Sequence, residues 1–258
     1  MPKDLPIATV VKRTDLTDDL IKLWIKPPPE FQAFKPGQYC TIGVDGVERP
    51  YSIASAPQEK FVELFLELVP DRYRTEQSLT PKLWQLNVGD SLTMRPRAKG
   101  TFLFDESAVR HAMISTVTGV APFVSMLRAM YHYSYYKEFT WDIQTYVFQG
   151  ASYEDEFGYD DELRDLAYTV KNVHYIPTIS RPQDPRNASW QGATGRVNTH
   201  EQYIKLIVPG GPDSMIYLCG NEGMVDDLGN TVARGGKPLG KFITDQSPKY
   251  MVRKEVFF

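Results

Sequence analysis

Two cysteines in 258 residues, Cys40 and Cys219, are too few and too far apart for a CxxC pair or an iron–sulfur ligand set. No cluster of other metal ligands takes their place, so no metal site is expected and any redox cofactor must be organic. The chain has no run of Lys and Arg long enough for a nucleic-acid tail. With a net charge of -3 and a pI near 5.9, nucleic acid is not an expected partner. No apolar stretch reaches bilayer length, and residues 1–30 lack the apolar centre of a secretory signal. The expectation is a soluble cytoplasmic protein with no membrane insertion. Repeats and low-complexity tracts are also absent, and nothing fixes the oligomeric state; a monomer is adequate.

What is present suits two compact domains: 42% hydrophobic residues to build cores, and 12% aromatics, which serve either core packing or the flanks of a flat cofactor. The first hundred residues read as β-structure. Pro36-Gly37 turns the chain into the apolar stretch Gln38 to Val44, Asp45-Gly46 predicts a hairpin, and Asn87 to Asp90 predicts a turn before a strand from Ser91 to Met94. In residues 61–68, Val62, Leu64, Leu66 and Leu68 fall on one face. Glu63 and Glu67 fall on the other, the period of a half-buried strand. Short strands with such turns predict a barrel or a sandwich.

The pattern changes near residues 103–109. Apolar runs at Ala112–Thr116, Ile143–Phe148, Val173–Ile179 and Met215–Cys219 then alternate with helical candidates beginning near Ala121, Tyr159, Val197 and Glu222. Val124, Leu127 and Tyr131 recur at helical spacing in the first; Val225, Leu228 and Val232 do so in the last. This order predicts a parallel sheet with helices on both faces. The expected domains are residues 1–104 and 105–258, and residues 182–194 read as a mobile loop.

Five groups carry candidate chemistry. In Arg49-Pro50-Tyr51-Ser52, an arginine can neutralise a phosphate, and a tyrosine two residues on shares its side of a strand and can stack on a flat ring. An ordinary strand with a surface arginine and a core tyrosine reads the same way. Ser115 to Pro122 (STVTGVAP) joins a strand to a helix, where unpaired N–H groups can hold a pyrophosphate and Gly119 lets the backbone come close. A tight β–α turn is the plainer alternative. Cys219-Gly220-Asn221, with Met224 beyond, closes another strand; its thiol packs against a ring or is simply a buried small hydrophobe. Ser180, Arg181 and Arg196 follow strands of the second domain and suit either a ribose phosphate or a solvated face. Glu255-Val256-Phe257-Phe258 ends the chain in two aromatics that must dock to be buried.

Taken in order, these groups resemble the bacterial-type ferredoxin–NADP(+) reductase / flavodoxin reductase family over nearly the whole chain. The resemblance implies an antiparallel six-stranded β-barrel that binds FAD, followed by an α/β parallel-sheet domain that binds NADP(H), with the C-terminal tail over the flavin. It places Arg49, Pro50, Tyr51 and Ser52 in the flavin-binding RxYS motif. Leu66, Leu68 and Val69 lie along the flavin and ribose, and Leu79, Thr80 and Lys82 begin a short helix over the pyrophosphate. Leu86 to Asp90 match the family's LxxGD turn and Gly100-Thr101-Phe102 its closing segment. In the second domain it gives Thr116, Thr118, Gly119 and Pro122 to the nicotinamide-nucleotide loop. Cys219, Asn221 and Met224 fall in the CGNPxM motif, and Phe257 and Phe258 in the tail covering the flavin. The choice of NADP over NAD rests on the residues themselves, with Ser180, Arg181 and Arg196 read as taking the extra ribose phosphate. Ser52, Cys219 and Glu255 stand nearest the reacting atoms.

The implied activity is hydride transfer between NADPH and the FAD N5 and single-electron exchange with a separate small redox protein, ferredoxin or flavodoxin. A reductase component of an oxygenase system, a free-flavin reductase and a non-catalytic flavin- or nucleotide-binding regulatory module are the alternatives. Two positions depart from the family pattern. Val117 replaces the first glycine of the GTGxAP loop, where a β-branched residue is expected to crowd the pyrophosphate or alter the backbone, and Glu222 replaces a proline. Residues 70–78 are longer and more charged than a minimal hairpin.

Overall fold

The computed structural model describes residues 5–136, 142–200, 203–204, 213–231 and 251–257. Val232 and Phe258, both singled out above, lie outside the described residues. By its contacts the chain forms two compact units, residues 1–104 with 121–135, and residues 105–120 with 136–258.

The first unit is an antiparallel barrel of β1 (Ile7–Asp15), β2 (Leu20–Lys26), β3 (Tyr39–Val44), β4 (Val47–Ser52), β5 (Val62–Glu67) and β6 (Ser91–Met94), in the order β4-β3-β6-β1-β2-β5. Its two end strands meet just after β4: Ile53 bridges Leu64, and the Ala54 N–H donates to the Glu63 carbonyl at 2.8 Å. That contact closes the sheet and covers edges that would otherwise carry unpaired backbone groups. Alternating apolar residues fill the interior, among them Ile21, Leu23, Ile25, Cys40, Ile42, Leu64 and Leu66. The single helical turn α1 (Thr80–Leu83) packs Leu79 and Leu83 onto it, and Arg13 holds that turn by donating to the Trp84 and Leu86 carbonyls at 2.8 Å each.

Helix α2 (Ala121–Tyr136) follows β7 in the chain. Sequence order assigns it to the second domain, but residues 121–135 cluster with the barrel. Its first turns are buried almost all round, with Phe123, Val124, Met126 and Leu127 inside, so it is a core helix rather than a surface one. It also explains why Glu63 does not face water as strand alternation predicts. The Glu63 carboxylate is buried beneath α2 and accepts from Arg128 at 2.6 Å, while Arg128 also reaches Glu59 at 3.3 Å. Ser125 on the same helix donates to the Ser55 carbonyl at 2.7 Å. Phe65 on the same face is buried as well, and that face reaches solvent only at Glu67.

The second unit is a parallel sheet of β7 (Arg110–Thr116), β8 (Gln144–Ala151), β9 (Val173–Ile179), β10 (Ala193–Thr194), β11 (Ser214–Asn221) and β12 (Met251–Phe257), in the order β10-β9-β8-β7-β11-β12. The helices α3 (Asp160–Thr169) and α4 (Glu222–Thr231) supply crossovers. The segment near Val197 forms a tight three-ten turn, Val197–His200, where a longer helix was expected. The C-terminal segment, read from sequence as a tail, is a strand: β12 lies parallel to β11, pairing Cys219 with Glu255 and Asn221 with Phe257.

On β7, His111 is fully buried and stacks on Tyr217 of β11 with ring centroids 5.8 Å apart. The Tyr217 hydroxyl accepts from the Asp105 N–H at 2.9 Å and faces His111 Nδ1 at 3.3 Å, while Nε2 donates to the Ala108 carbonyl at 2.9 Å. Burial lowers the His111 pKa to about 4, against smaller opposing pulls from the Ala108 hydrogen bond and Asp105, so the ring is neutral.

Candidate functional site

In the barrel unit, the site begins on β4. The register sets Tyr51 opposite Cys40 and Arg49 opposite Ile42. Tyr51 is half-buried against the barrel core, and Arg49 is exposed. Desolvation pushes the Tyr51 phenol well above the usual tyrosine range, with the Arg49 charge pulling the other way, so the ring stays neutral. Cys40 beside it is pushed up to about 12 by burial, which makes it an inert thiol. The Arg49 guanidinium donates to the carbonyls of Glu48 and Gln77, both at 2.7 Å. Among the described residues it has no carboxylate partner, so its charge and its other N–H groups stay open to an anion. Pro50 is exposed between them, and Ser52 is buried at the end of the strand.

The segment after β5 is tied to the same place. Leu66 is in the core, the Leu68 N–H donates to the Asp19 carbonyl at 2.8 Å, and the Val69 N–H donates to the Thr80 hydroxyl at 3.0 Å. Leu79 is buried, and Lys82 pairs with Asp45 at 3.0 Å. The loop over residues 70–78 is held by Arg74, which pairs with Asp71 at 2.6 Å and donates to the Val69 carbonyl at 2.9 Å. Gln77 in this loop positions Arg49 through its backbone carbonyl, a contact no side-chain pattern can announce.

In the parallel-sheet unit, β8 and β9 lie to one side of β7 and β11 to the other, so the sheet order reverses between β7 and β11. Ligands of open α/β sheets bind at the carboxyl ends of the strands at such a reversal. The loops there are Thr116 to Val120 and Cys219 to Asn221. They interlock: a Cβ on Gly119 would stand 2.3 Å from the Cys219 carbonyl oxygen, and one on Gly220 would stand 2.3 Å from the Thr116 hydroxyl. The Thr116 hydroxyl accepts from the Asn221 N–H at 2.9 Å, and the Asn221 side-chain oxygen accepts from the Met224 N–H at 3.4 Å, capping α4. Thr118 is part-buried in this turn, and Pro122 is buried in the first turn of α2. Cys219 is fully buried and Met224 packs in the core with Ile216, Leu218 and Val225, so both serve first as packing residues. The register brings the Glu255 and Phe257 backbones to this same edge.

Val117 holds a left-handed backbone at φ 38°, a conformation natural to glycine and costly, at about 1–2 kcal/mol, for a β-branched residue. Its side chain packs with the apolar cluster of Ala151, Phe157, Ile179 and Trp190, and its carbonyl accepts from Gln149 at 3.1 Å.

Just after β9, Ser180 is part-buried and Arg181 exposed; Arg196, just after β10, is exposed. Arg181 donates to the Tyr153 hydroxyl and, among the described residues, neither arginine has a carboxylate partner. The Gly195 N–H donates to the Ile179 carbonyl at 2.8 Å, and the Thr178 hydroxyl donates to the Gly195 carbonyl at 2.8 Å, which fixes the turn carrying Arg196. Residues 182–194, expected to be mobile, are stapled instead by buried Asn187. Its side chain donates to the Ser152 and Arg181 carbonyls at 3.0 and 2.8 Å and accepts from the Glu154 N–H at 2.8 Å. Sequence reasoning missed Asn187 and Tyr153, because neither lies in a recognisable motif.

The family model for the oxidoreductase NAD-binding domain matches residues 113–229. Protein RfbI of Salmonella typhimurium is 27% identical over 82% of this chain, which spans only 58% of RfbI. The flavodoxin/ferredoxin–NADP reductase of Escherichia coli is 27% identical over 87% of this chain and 88% of its own. A ferredoxin NADP+ reductase from Neisseria gonorrhoeae, solved with bound FAD and NADP, superposes with a TM-score of 0.76 at 21% identity, covering 98% of this chain and 99% of that one.

Proposed function

We propose that this chain, which belongs to the ferredoxin/flavodoxin–NADP reductase family, is an FAD-dependent oxidoreductase exchanging electrons between NADP(H) and a small redox protein. The observation that carries the reading is the reversal of sheet order between β7 and β11, with the Gly119 and Gly220 loops interlocked at its carboxyl edge. Bound FAD supplies the conversion between two-electron exchange with nicotinamide and one-electron exchange with the acceptor.

The protein's part is binding and orientation. Arg49 meets a phosphate of the flavin dinucleotide; Tyr51 offers a neutral ring face beside it, and Ser52 a hydroxyl at the strand end. The barrel residues fit such a group because Arg49 is already fixed by two backbone carbonyls that leave its charge uncancelled. Leu66, Leu68, Val69, Leu79 and Thr80 form the wall along which the rest of the dinucleotide lies. In the sheet unit, Thr116, Thr118 and Gly119 with Asn221 receive the nicotinamide nucleotide, and Ser180, Arg181 and Arg196 its extra ribose phosphate. Cys219, Glu255 and Phe257 stand along one edge in the paired strands. Phe258, given the same role, lies outside the described residues.

The proposed electron acceptor is a small redox protein, a ferredoxin or a flavodoxin; the two cysteines of this sequence, both free, do not form a cluster site. No described helix is long and apolar enough to cross a membrane, and a cytoplasmic location is part of the proposal. The test is anaerobic titration of the purified protein with NADPH under visible absorbance. Bleaching of bound flavin near stoichiometry is expected; flavin that NADPH leaves oxidised, or no retained flavin, would sink the reading.

A further inference from the structure

We propose that Tyr153 is the residue that sets this chain's preference for a phosphorylated dinucleotide, by holding Arg181, and that Asp155 and Arg186 in turn fix Tyr153. The inference rests on the reading that the carboxyl edge of the sheet receives NADP(H), and it names a specificity device that no motif contains.

Two arginines converge on one ring. Arg181 donates to the Tyr153 hydroxyl with its guanidinium 5.1 Å from the ring centroid, and the Arg186 guanidinium lies 3.8 Å from the same centroid. Their charges are committed differently. Arg186 is bidentate to Asp155, at 2.6 and 3.1 Å, and its backbone N–H donates to the Asp184 carboxylate at 3.0 Å. Arg181 has no carboxylate among the described residues, only the neutral phenol. Arg186 is therefore a structural cation that fixes the ring by stacking, and Arg181 is a presented cation whose charge awaits an anion.

The backbone beneath is fixed as well. The Glu156 carboxylate accepts from the N–H groups of Ser152 and Tyr153 at 2.7 and 3.1 Å, and Asn187 ties Ser152 to Arg181. Arg181 is long and exposed, and ordering so flexible a side chain at the moment of binding costs affinity. A hydroxyl that accepts from it in advance removes part of that cost. The phenol then keeps its own hydrogen to donate to a phosphate oxygen. An unphosphorylated ribose gains from neither group.

Calorimetric titration of the holoenzyme with 2′,5′-ADP and with 5′-AMP tests this without turnover. Wild type is expected to bind 2′,5′-ADP more tightly. Tyr153→Phe, which keeps the ring and loses the hydroxyl, is expected to weaken 2′,5′-ADP about tenfold and leave 5′-AMP within about twofold. Asp155→Asn, which frees Arg186 while keeping the ring, is expected to act in the same direction by about threefold. It also serves as the reporter if Tyr153→Phe does not fold. Unchanged 2′,5′-ADP binding in these variants, or equal losses for both ligands, overturns the role of Tyr153 while the NADP(H) reading stands. A wild type that does not prefer 2′,5′-ADP overturns both.

Discussion

The two units carry their candidate sites in opposite ways. In the barrel, the chemistry lies on a regular strand: Arg49, Tyr51 and Ser52 are consecutive or alternate residues of β4, and their spacing survives folding. In the parallel sheet, regular strands only bring distant loops together. Thr116 meets Asn221, Gly119 meets Cys219, and Tyr153 meets Arg181 across gaps that sequence alone does not close. A site on one strand tolerates small shifts of its neighbours, whereas one built from interlocked loops depends on contacts of a few tenths of an ångström.

The largest expected effect tests that dependence. Gly119→Ala puts a methyl group against the Cys219 carbonyl, where neither partner is a flexible side-chain end. It is expected to destabilise the parallel-sheet unit by about 3–5 kcal/mol. Denaturant unfolding followed by hydrogen exchange should show the loss in residues 105–120 and 213–231 with barrel amides still protected. Loss of the barrel first would erase the contrast between the units.

The barrel has its own sensitive point, in charge rather than shape. Arg128→Ala leaves the Glu63 carboxylate buried without its 2.6 Å partner and is expected to cost about 3–4 kcal/mol in thermal or chemical unfolding. Adding Glu63→Gln should recover part of it. No recovery in the double variant would show that Arg128 acts through packing alone.

Acid should separate the units next. His111 is held neutral with its pKa lowered to about 4, whereas an unfolded histidine titrates near 6.5. The unfolded chain therefore binds the proton first as pH falls. The stability that His111 contributes is whole above about pH 6.5 and declines toward pH 4 by at most about 1.4 kcal/mol per pH unit. His111→Gln should flatten that slope in residues 105–120. A slope that the substitution leaves unchanged would move the acid sensitivity elsewhere.

The smallest effect concerns Val117. Val117→Gly relieves the left-handed strain of about 1–2 kcal/mol but gives up the packing against the Ala151, Phe157 and Ile179 cluster, so the net change in unfolding free energy should lie within about 1 kcal/mol. A loss above about 2 kcal/mol would mean that this apolar contact dominates the loop.

Much of this organisation was legible in the chain. Turn residues and hydrophobic alternation gave the barrel strands because both are local properties of a strand and its ends. Ser91–Met94 and Val173–Ile179 form where the pattern puts them. Glu63 misled because strand alternation cannot know that a helix fifty-odd residues on will cover the outer face and bring a cation with it. Residues 182–194 looked mobile because their order comes from one buried amide, Asn187, bonding three backbone groups. The C-terminal segment looked like a tail because its partner, β11, pairs with it only once both are placed.

The sequence by itself determined the kinds of element, their order, and the residue types able to meet phosphates and flat rings, since propensity, turn chemistry and motif spacing act over a few neighbouring positions. Only the tertiary structure decided which charges are spent and which remain available. Arg128 and Arg186 are committed to carboxylates, and Arg49 and Arg181 are held by neutral oxygens with their charge uncancelled. That choice is electrostatic and geometric, and it is made between residues that the chain brings together only by folding.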